Sequence, residues 1–238
     1  MKQLFIRKSH RWLGIIAAAQ LLIWTSSGLF FAVMPIEDIR GSHLLKPPPV
    51  FRLAHVNLVS PSSLVRQHRD LSAVSLTQIQ INQRLNTPVY VAQSAGNWLV
   101  YNAETAEKLA PLSEGQARAV AANNTDLPVH SASWVTTAAP GSEYRDGELP
   151  AWKIELEGAG SVNLWIGANT GQLRAVRTTS WRIYDFLWGL HIMDYQGRDN
   201  FNSWLLRAFA ALGVTTILSG IVLLIMSSRR KKRAASNR

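Results

Sequence analysis

Residues 13–34 read LGIIAAAQLLIWTSSGLFFAVM, without one charged side chain. As a helix, twenty-odd residues rise roughly 33 Å at 1.5 Å each, enough to cross a bilayer's hydrocarbon core. Gln20, Thr25, Ser26 and Ser27 interrupt the run. They are uncharged, and hydroxyls bond back to a helix's own carbonyls or to a neighbouring helix. A cleaved signal peptide would have an apolar run of only roughly 7–15 residues ending at a small-residue site. This run is longer, and Phe30-Phe31-Ala32-Val33-Met34 offers no such site.

A second run, residues 204–226, reads WLLRAFAALGVTTILSGIVLLIM. Its one charge, Arg207, falls in the first turn, where a long side chain snorkels to the interface. The net charge of +10 lies outside these runs. Lys2, Arg7, Lys8 and Arg11 precede the first, and Arg229, Arg230, Lys231, Lys232, Arg233 and Arg238 follow the second. Such clusters flanking apolar spans follow the positive-inside rule. They place both termini in the cytoplasm and residues 35–203 on the exported side. No nucleic-acid partner is expected, because the basic excess sits at the membrane rather than on a folded face; the bilayer is the partner of both tails.

The chain has no cysteine. Its exported part therefore folds without disulfides, and cysteine-held zinc, iron–sulfur clusters and covalently attached haem are excluded.

Residues 35–50 form a connector that ends in Pro47-Pro48-Pro49, an extended run expected to act as a stiff spacer. Residues 51–112 and 113–178 then read as two similar modules. Ser60-Pro61 caps one short helix, and Ser113-Glu114-Gly115-Gln116 opens another. Strands are expected at 78–81, 88–93, 97–102 and 108–110 in the first module. In the second they are expected at 131–136, 151–157, 161–168 and 172–177. A single larger α+β domain with look-alike hairpins is the alternative. Residues 141–147 (GSEYRDG) read as a polar loop. In 179–203, Trp181, Tyr184, Trp188, Ile192 and Tyr195 recur at helical spacing, which suits an interfacial helix.

Three features together resemble PepSY-associated transmembrane proteins of bacterial inner membranes. They are Ser9-His10-Arg11-Trp12-Leu13-Gly14 with Thr25-Ser26-Ser27-Gly28, the turn Asn169-Thr170-Gly171-Gln172-Leu173, and Leu190-His191-Ile192-Met193-Asp194-Tyr195 ahead of Leu218-Ser219-Gly220. The resemblance implies membrane helices flanking an exported pair of PepSY-like helix-plus-antiparallel-sheet modules that bind or restrain a periplasmic or membrane partner. It also implies an alternative. Four-span relatives look like haem-b electron-transfer proteins that reduce ferric siderophores or related substrates, with haem held by helix histidines. The matching positions are His10 and His191, and this chain has two spans rather than four.

His10 and His191 lie at opposite edges of the spans, so one chain does not bring both to one iron. His43 and His55 are further candidates on the side of His191, and a homodimer would pair His191 with its own copy. The plain alternative is that both are interfacial residues among aromatics. His68 and His130 are expected on the surface, and Glu155 and Glu157 on the wet face of a strand. The sequence holds no nucleophile elbow, phosphate loop, dinucleotide fingerprint or histidine pair at metal-binding spacing, hence no self-contained catalytic constellation. Gly14-x-x-x-Ala18 and Thr216-x-x-x-Gly220 are candidate points of close helix approach.

Overall fold

The computed structural model describes residues 2–48, 56–75, 78–145, 147–158 and 160–236. The chain divides into two units, one made of residues 1–35 with 183–238 and the other of residues 36–182. The boundary falls inside one helix, α5 (Thr179–Ile192).

The first unit contains α1 (Lys2–Val33), most of α5, and α6 (Trp204–Ser236). α1 over Phe5–Val33 and α6 over Trp204–Ser228 are long and apolar enough to cross a membrane. They pack on each other. The part-buried or buried residues of α1 include His10, Leu13, Ala17, Gln20, Trp24, Ser27 and Phe31. On α6 they include Phe209, Leu212, Thr216, Ser219, Leu223 and Met226. Both series alternate steps of three and four, the spacing that keeps one stripe facing a neighbouring helix. The other faces carry exposed Ile15, Leu22, Leu29, Ile217 and Leu224. The helices run antiparallel. Phe31 packs against Trp188, which packs against Phe201 just before α6, whereas His10 meets Ser219, far along α6.

The second unit opens with α2 (Ile36–Arg40) and a short 3-10 turn (Ser42–Leu44). This connector is not the free spacer expected from its prolines. Ile39 is buried, Thr178 donates to its carbonyl, the Lys46 amide bonds the carbonyl of Asn124, and Thr125 donates to the carbonyl of Leu44. The Leu44 and Leu45 side chains pack into the core, which outweighs the stiffness of the following prolines. Pro49 lies outside the described residues.

α3 (Pro61–Gln67) begins with Pro61 at its first position and is capped by Ser60, whose hydroxyl accepts the Ser63 amide. It covers a three-stranded antiparallel sheet of β1 (Gln80–Arg84), β2 (Thr87–Ser94) and β3 (Asn97–Asn102), in that order. Tyr90, Ala92 and Tyr101 face Leu64 and Leu71, while Val89, Val91 and Val100 face the other side with Trp98 and Leu109. The central strand is thus buried on both faces. α4 (Glu114–Asn124) starts with a capping box: the Ser113 hydroxyl accepts the Gln116 amide and the Gln116 side chain accepts the Ser113 amide. It covers a second antiparallel sheet, ordered β4 (Val129–Val135), β5 (Ala151–Leu156), β6 (Val162–Gly167) and β7 (Leu173–Arg177). Ala117, Val120 and Ala121 pack on Ile154, Leu164, Ile166 and Val176. Residues 108–110 contribute an isolated bridge, Lys108 to Tyr101, rather than a strand.

The hairpin β1–β2 joins the two sheets. Its turn residue Leu85 has φ 55, the left-handed region that a bulky side chain avoids. The side chain packs into the core of the second sheet, and this burial offsets a local strain of about 1–2 kcal/mol. The Arg84 stem crosses Gly171, where a Cβ would lie 2.9 Å from Arg84 Cγ. Gly171 has φ +71, so both the turn and the close approach require glycine there.

Candidate functional site

His10 and His191 both belong to the first unit, and no other histidine does. They are held in the same way. His10 Nδ1 lies 2.6 Å from Ser219 Oγ, and that hydroxyl donates to the carbonyl of Thr216 at 2.8 Å. His191 Nδ1 lies 2.8 Å from Ser27 Oγ, and that hydroxyl donates to the carbonyls of Ile23 and Trp24 at 2.8 and 3.1 Å. A serine has one hydroxyl proton. With it directed to a backbone carbonyl, each serine can only accept, and a neutral imidazole would then have to carry its proton on Nδ1. Each Nε2 is then left with a lone pair and makes no hydrogen bond among the described residues. This is the arrangement of a metal-ligating histidine, whose second nitrogen donates to a fixed neighbour. It equally suits an imidazole that locks two apolar helices in register.

The surroundings differ. A Cβ on Gly220 would lie 3.3 Å from His10 Cε1, so this glycine opens the space that the ring fills. The position at Gly14 is open, and of the two small-residue motifs the one ending in Gly220 carries the close approach. His191 sits in an aromatic cage, with ring centres at 5.6 Å for Phe31, 6.1 Å for Trp24 and 6.4 Å for the stacked Trp188. The Trp24 indole also donates to the His191 carbonyl at 2.7 Å, satisfying an end group of α5. Between the two histidines, Gln20 buries its amide nitrogen without a partner.

His10 and Ser27, the contact of His191, are seventeen positions apart on α1, or roughly 25 Å along its axis. The two histidines therefore form two sites at opposite ends of the helix pair, as their spacing implied. His43 faces Asp38 at 3.7 Å in the second unit, and His55 lies outside the described residues. No group of three or more metal-type ligands occurs among the described residues.

In the second unit, His68 is half-buried rather than free on the surface. Its Nε2 pairs with the carbonyl of Ala106 at 2.7 Å, and the ring packs on Tyr101 at 4.5 Å. His130 and Glu157 are exposed, as expected of a wet strand face, and Glu155 pairs with Lys153 and Ser131 there. The loop 141–147 carries more than its polar composition suggested. Tyr144 stacks on Trp165 at 4.4 Å and donates to the carbonyl of Glu148, and burial pushes its hydroxyl up to about 12. The Glu143 carboxylate gathers Asn163, Trp165 and Arg182. Glu148, whose side chain is fully buried, accepts the amides of Asn169 and Thr170, the Thr170 hydroxyl and the Arg174 guanidinium. Arg174 in turn covers the Trp98 ring at 4.9 Å, which ties the second sheet to the first.

A groove of about 490 Å³ opens beside this joint, lined by Leu45, Lys46, Gln83, Leu85, Asn124 and Leu173 among others. It mixes apolar walls with a lysine and side-chain amides.

No family model matches the chain, and no curated protein or solved structure matches it either.

Proposed function

We propose that this is a bacterial inner-membrane protein of PepSY type whose two membrane spans hold a periplasmic binding domain. The observation that carries the reading is the antiparallel pairing of α1 and α6 through His10 and Ser219. The pairing makes residues 36–182 an insert between two adjacent apolar helices, with Lys2, Arg7, Lys8 and Arg11 in the first turns of α1 and Arg229–Arg233 in the last turns of α6. This domain binds or restrains a periplasmic or membrane protein, and the groove beside Leu85 is its contact.

The cysteine-free chain allows a direct test. Single cysteines at exposed Glu107 and at Ser228 are challenged in intact cells with a membrane-impermeant maleimide that passes the outer membrane. Labelling at position 107 alone supports the topology; labelling at 228 alone overturns it. A photo-crosslinker at Gln172 in the groove is expected to give a discrete adduct that is absent from Glu104, which lies outside the groove. Equal adducts from both positions refute the groove as the contact.

A second reading draws support from the histidines. With Nδ1 bonded to serine, His10 and His191 would each hold the iron of a b-type haem through Nε2. The second ligand of each would come from another chain, such as a second copy. Bound haem supplies one-electron chemistry; the protein's part is to fix imidazole orientation through Ser219 and Ser27 and to exclude water with Trp24, Phe31 and Trp188. Visible spectra of the detergent-purified protein before and after dithionite decide the matter. Reduced α and β bands lost in His191→Ala or His10→Ala support this reading. A protein still colourless after haem is supplied during expression removes it.

A further inference from the structure

Arg84 is only 6% exposed, at the end of β1 beside the joint of the two sheets. Its Nη2 donates to the carbonyl of Ala110 at 2.7 Å, whereas its Nη1 is buried without a partner. A buried guanidinium nitrogen with nothing to donate to is costly, more so than a neutral amide. Burial pushes the group below its ordinary value, and the charge of Glu148 pulls it partly back. Glu148 does not meet the need, because its oxygens are committed to Asn169, Thr170 and Arg174.

Arg84 lines a cavity of about 260 Å³ with Thr87, Asn102 and Gln116, walled by Leu85 and Leu109. The polar groups there are biased toward donation. The Asn102 carbonyl oxygen already accepts the amides of Glu104 and Thr105, which leaves its NH2. The Gln116 oxygen already accepts the Ser113 amide, which leaves its NH2 as well. Thr87 adds a hydroxyl. Gln116 also stands in the first turn of α4, the positive end of that helix dipole. No acidic side chain lines the cavity.

We propose that this cavity is an oxyanion site, in which a carboxylate or phosphate group is held by the Arg84 guanidinium and the free donors of Thr87, Asn102 and Gln116. It shares Leu85 with the groove but none of the groove's other lining residues, and does not depend on how that groove is used. The apolar walls fit an anion attached to a short hydrophobic group better than a bare ion. Occupation would tie β1, the segment around Ala110 and α4 together, so the ligand would also brace the joint of the two sheets.

The test is calorimetric titration of the full chain in detergent micelles with sodium phosphate and, separately, sodium acetate, against sodium chloride at matched ionic strength. Saturable binding of at least one oxyanion, but not of chloride, is expected. Arg84→Met should weaken it at least about tenfold, as loss of a bond to a charged group does, and Thr87→Val should weaken it several-fold. Binding of phosphate alone marks a phosphorylated ligand, and binding of acetate a carboxylate one; either supports the site. No saturable oxyanion binding overturns it, as does affinity unchanged in Arg84→Met, which would locate the anion on the basic tails. Should Arg84→Met lose the native circular dichroism, Thr87→Val decides, and unchanged affinity there overturns the proposal.

Discussion

Ser27 Oγ and His191 Nδ1 lie 2.8 Å apart, joining two helices through residues 164 positions apart in the chain. Ser219 and His10 repeat the pairing at the other end of α1, across 209 positions. In each pair the serine spends its proton on its own helix and receives the histidine's. The imidazole is thereby fixed in one tautomer by a neighbour with no other hydrogen to give.

Replacing Ser27 or Ser219 by alanine should therefore free a histidine without opening a cavity of any size. A cost of about 1 kcal/mol is expected for each, the scale of a single helix–helix hydrogen bond in an apolar environment. Unfolding of the micellar protein by denaturing detergent, followed by tryptophan fluorescence, measures it. Imidazole nitrogen NMR of Ser27→Ala should show His191 losing its single Nδ1–H form, and the same tautomer in both proteins would refute the assignment.

Glu148 should be the most costly single carboxylate in the second unit. Truncating it to alanine strands buried Thr170 and half-buried Arg174, a loss of about 3 kcal/mol, the low end for broken buried pairs. Gly167→Ala should hit the same place by another route, because its Cβ would run into the Glu148 carboxylate and approach Thr170 Oγ1 to 2.8 Å. Thermal melts of both variants in circular dichroism check this, and a native-like melt for Gly167→Ala would sink the packing argument.

Two aspartates set the acid limit. At Asp70, burial raises the carboxyl, but the bonds from Lys108 and Tyr101 outweigh it and leave it below 3.8. At Asp194, the amide of Asn200 is the main cause of a similar lowering, helped by those of Asp199 and Gly197. A lowered folded-state value means that the stabilisation is complete above the ordinary value and fades as pH falls through the folded one. Urea midpoints measured from about pH 5 to pH 2 should fall toward acid. The slope should flatten in Asp70→Asn, and an unchanged slope in that variant would show that Asp70 is not coupled to folding.

Leu85 sets strain against packing. Glycine there would relieve a left-handed leucine worth about 1–2 kcal/mol but give up about 2–3 kcal/mol of buried side chain. The net cost of Leu85→Gly should be about 1 kcal/mol, less than truncation of fully buried Leu164, where about 2–5 kcal/mol is expected. Chemical unfolding of the two variants side by side tests the order.

The local chemistry of this chain was legible in advance wherever the partner lay nearby. Ser60-Pro61 and Ser113 start helices as their residue types dictate, and six of the eight expected strands fall within a residue or two of their places, whereas β1 runs three residues past its expected end and 108–110 gives only a bridge. What escaped lay far apart in sequence. Nothing near His68 announces the carbonyl of Ala106, and nothing near His10 announces Ser219. The loop 141–147 looks solvent-borne because one tyrosine among polar residues carries its packing. The connector looks extended because its prolines are local and the pockets that receive Ile39 and Leu45 are not. One signal did exist for the histidine pairs: the polar residues His10, Gln20 and Ser27, ten and seven positions apart, fall on one stripe built from steps of three and four, which marks a face that needs a neighbour.

That spacing bears on how the chain is made. Synthesis finishes α1 long before Ser219 exists, so His10 gains this partner only after the entire intervening domain is produced. The two ends of the chain are thus joined last, when α6 arrives in the matching register.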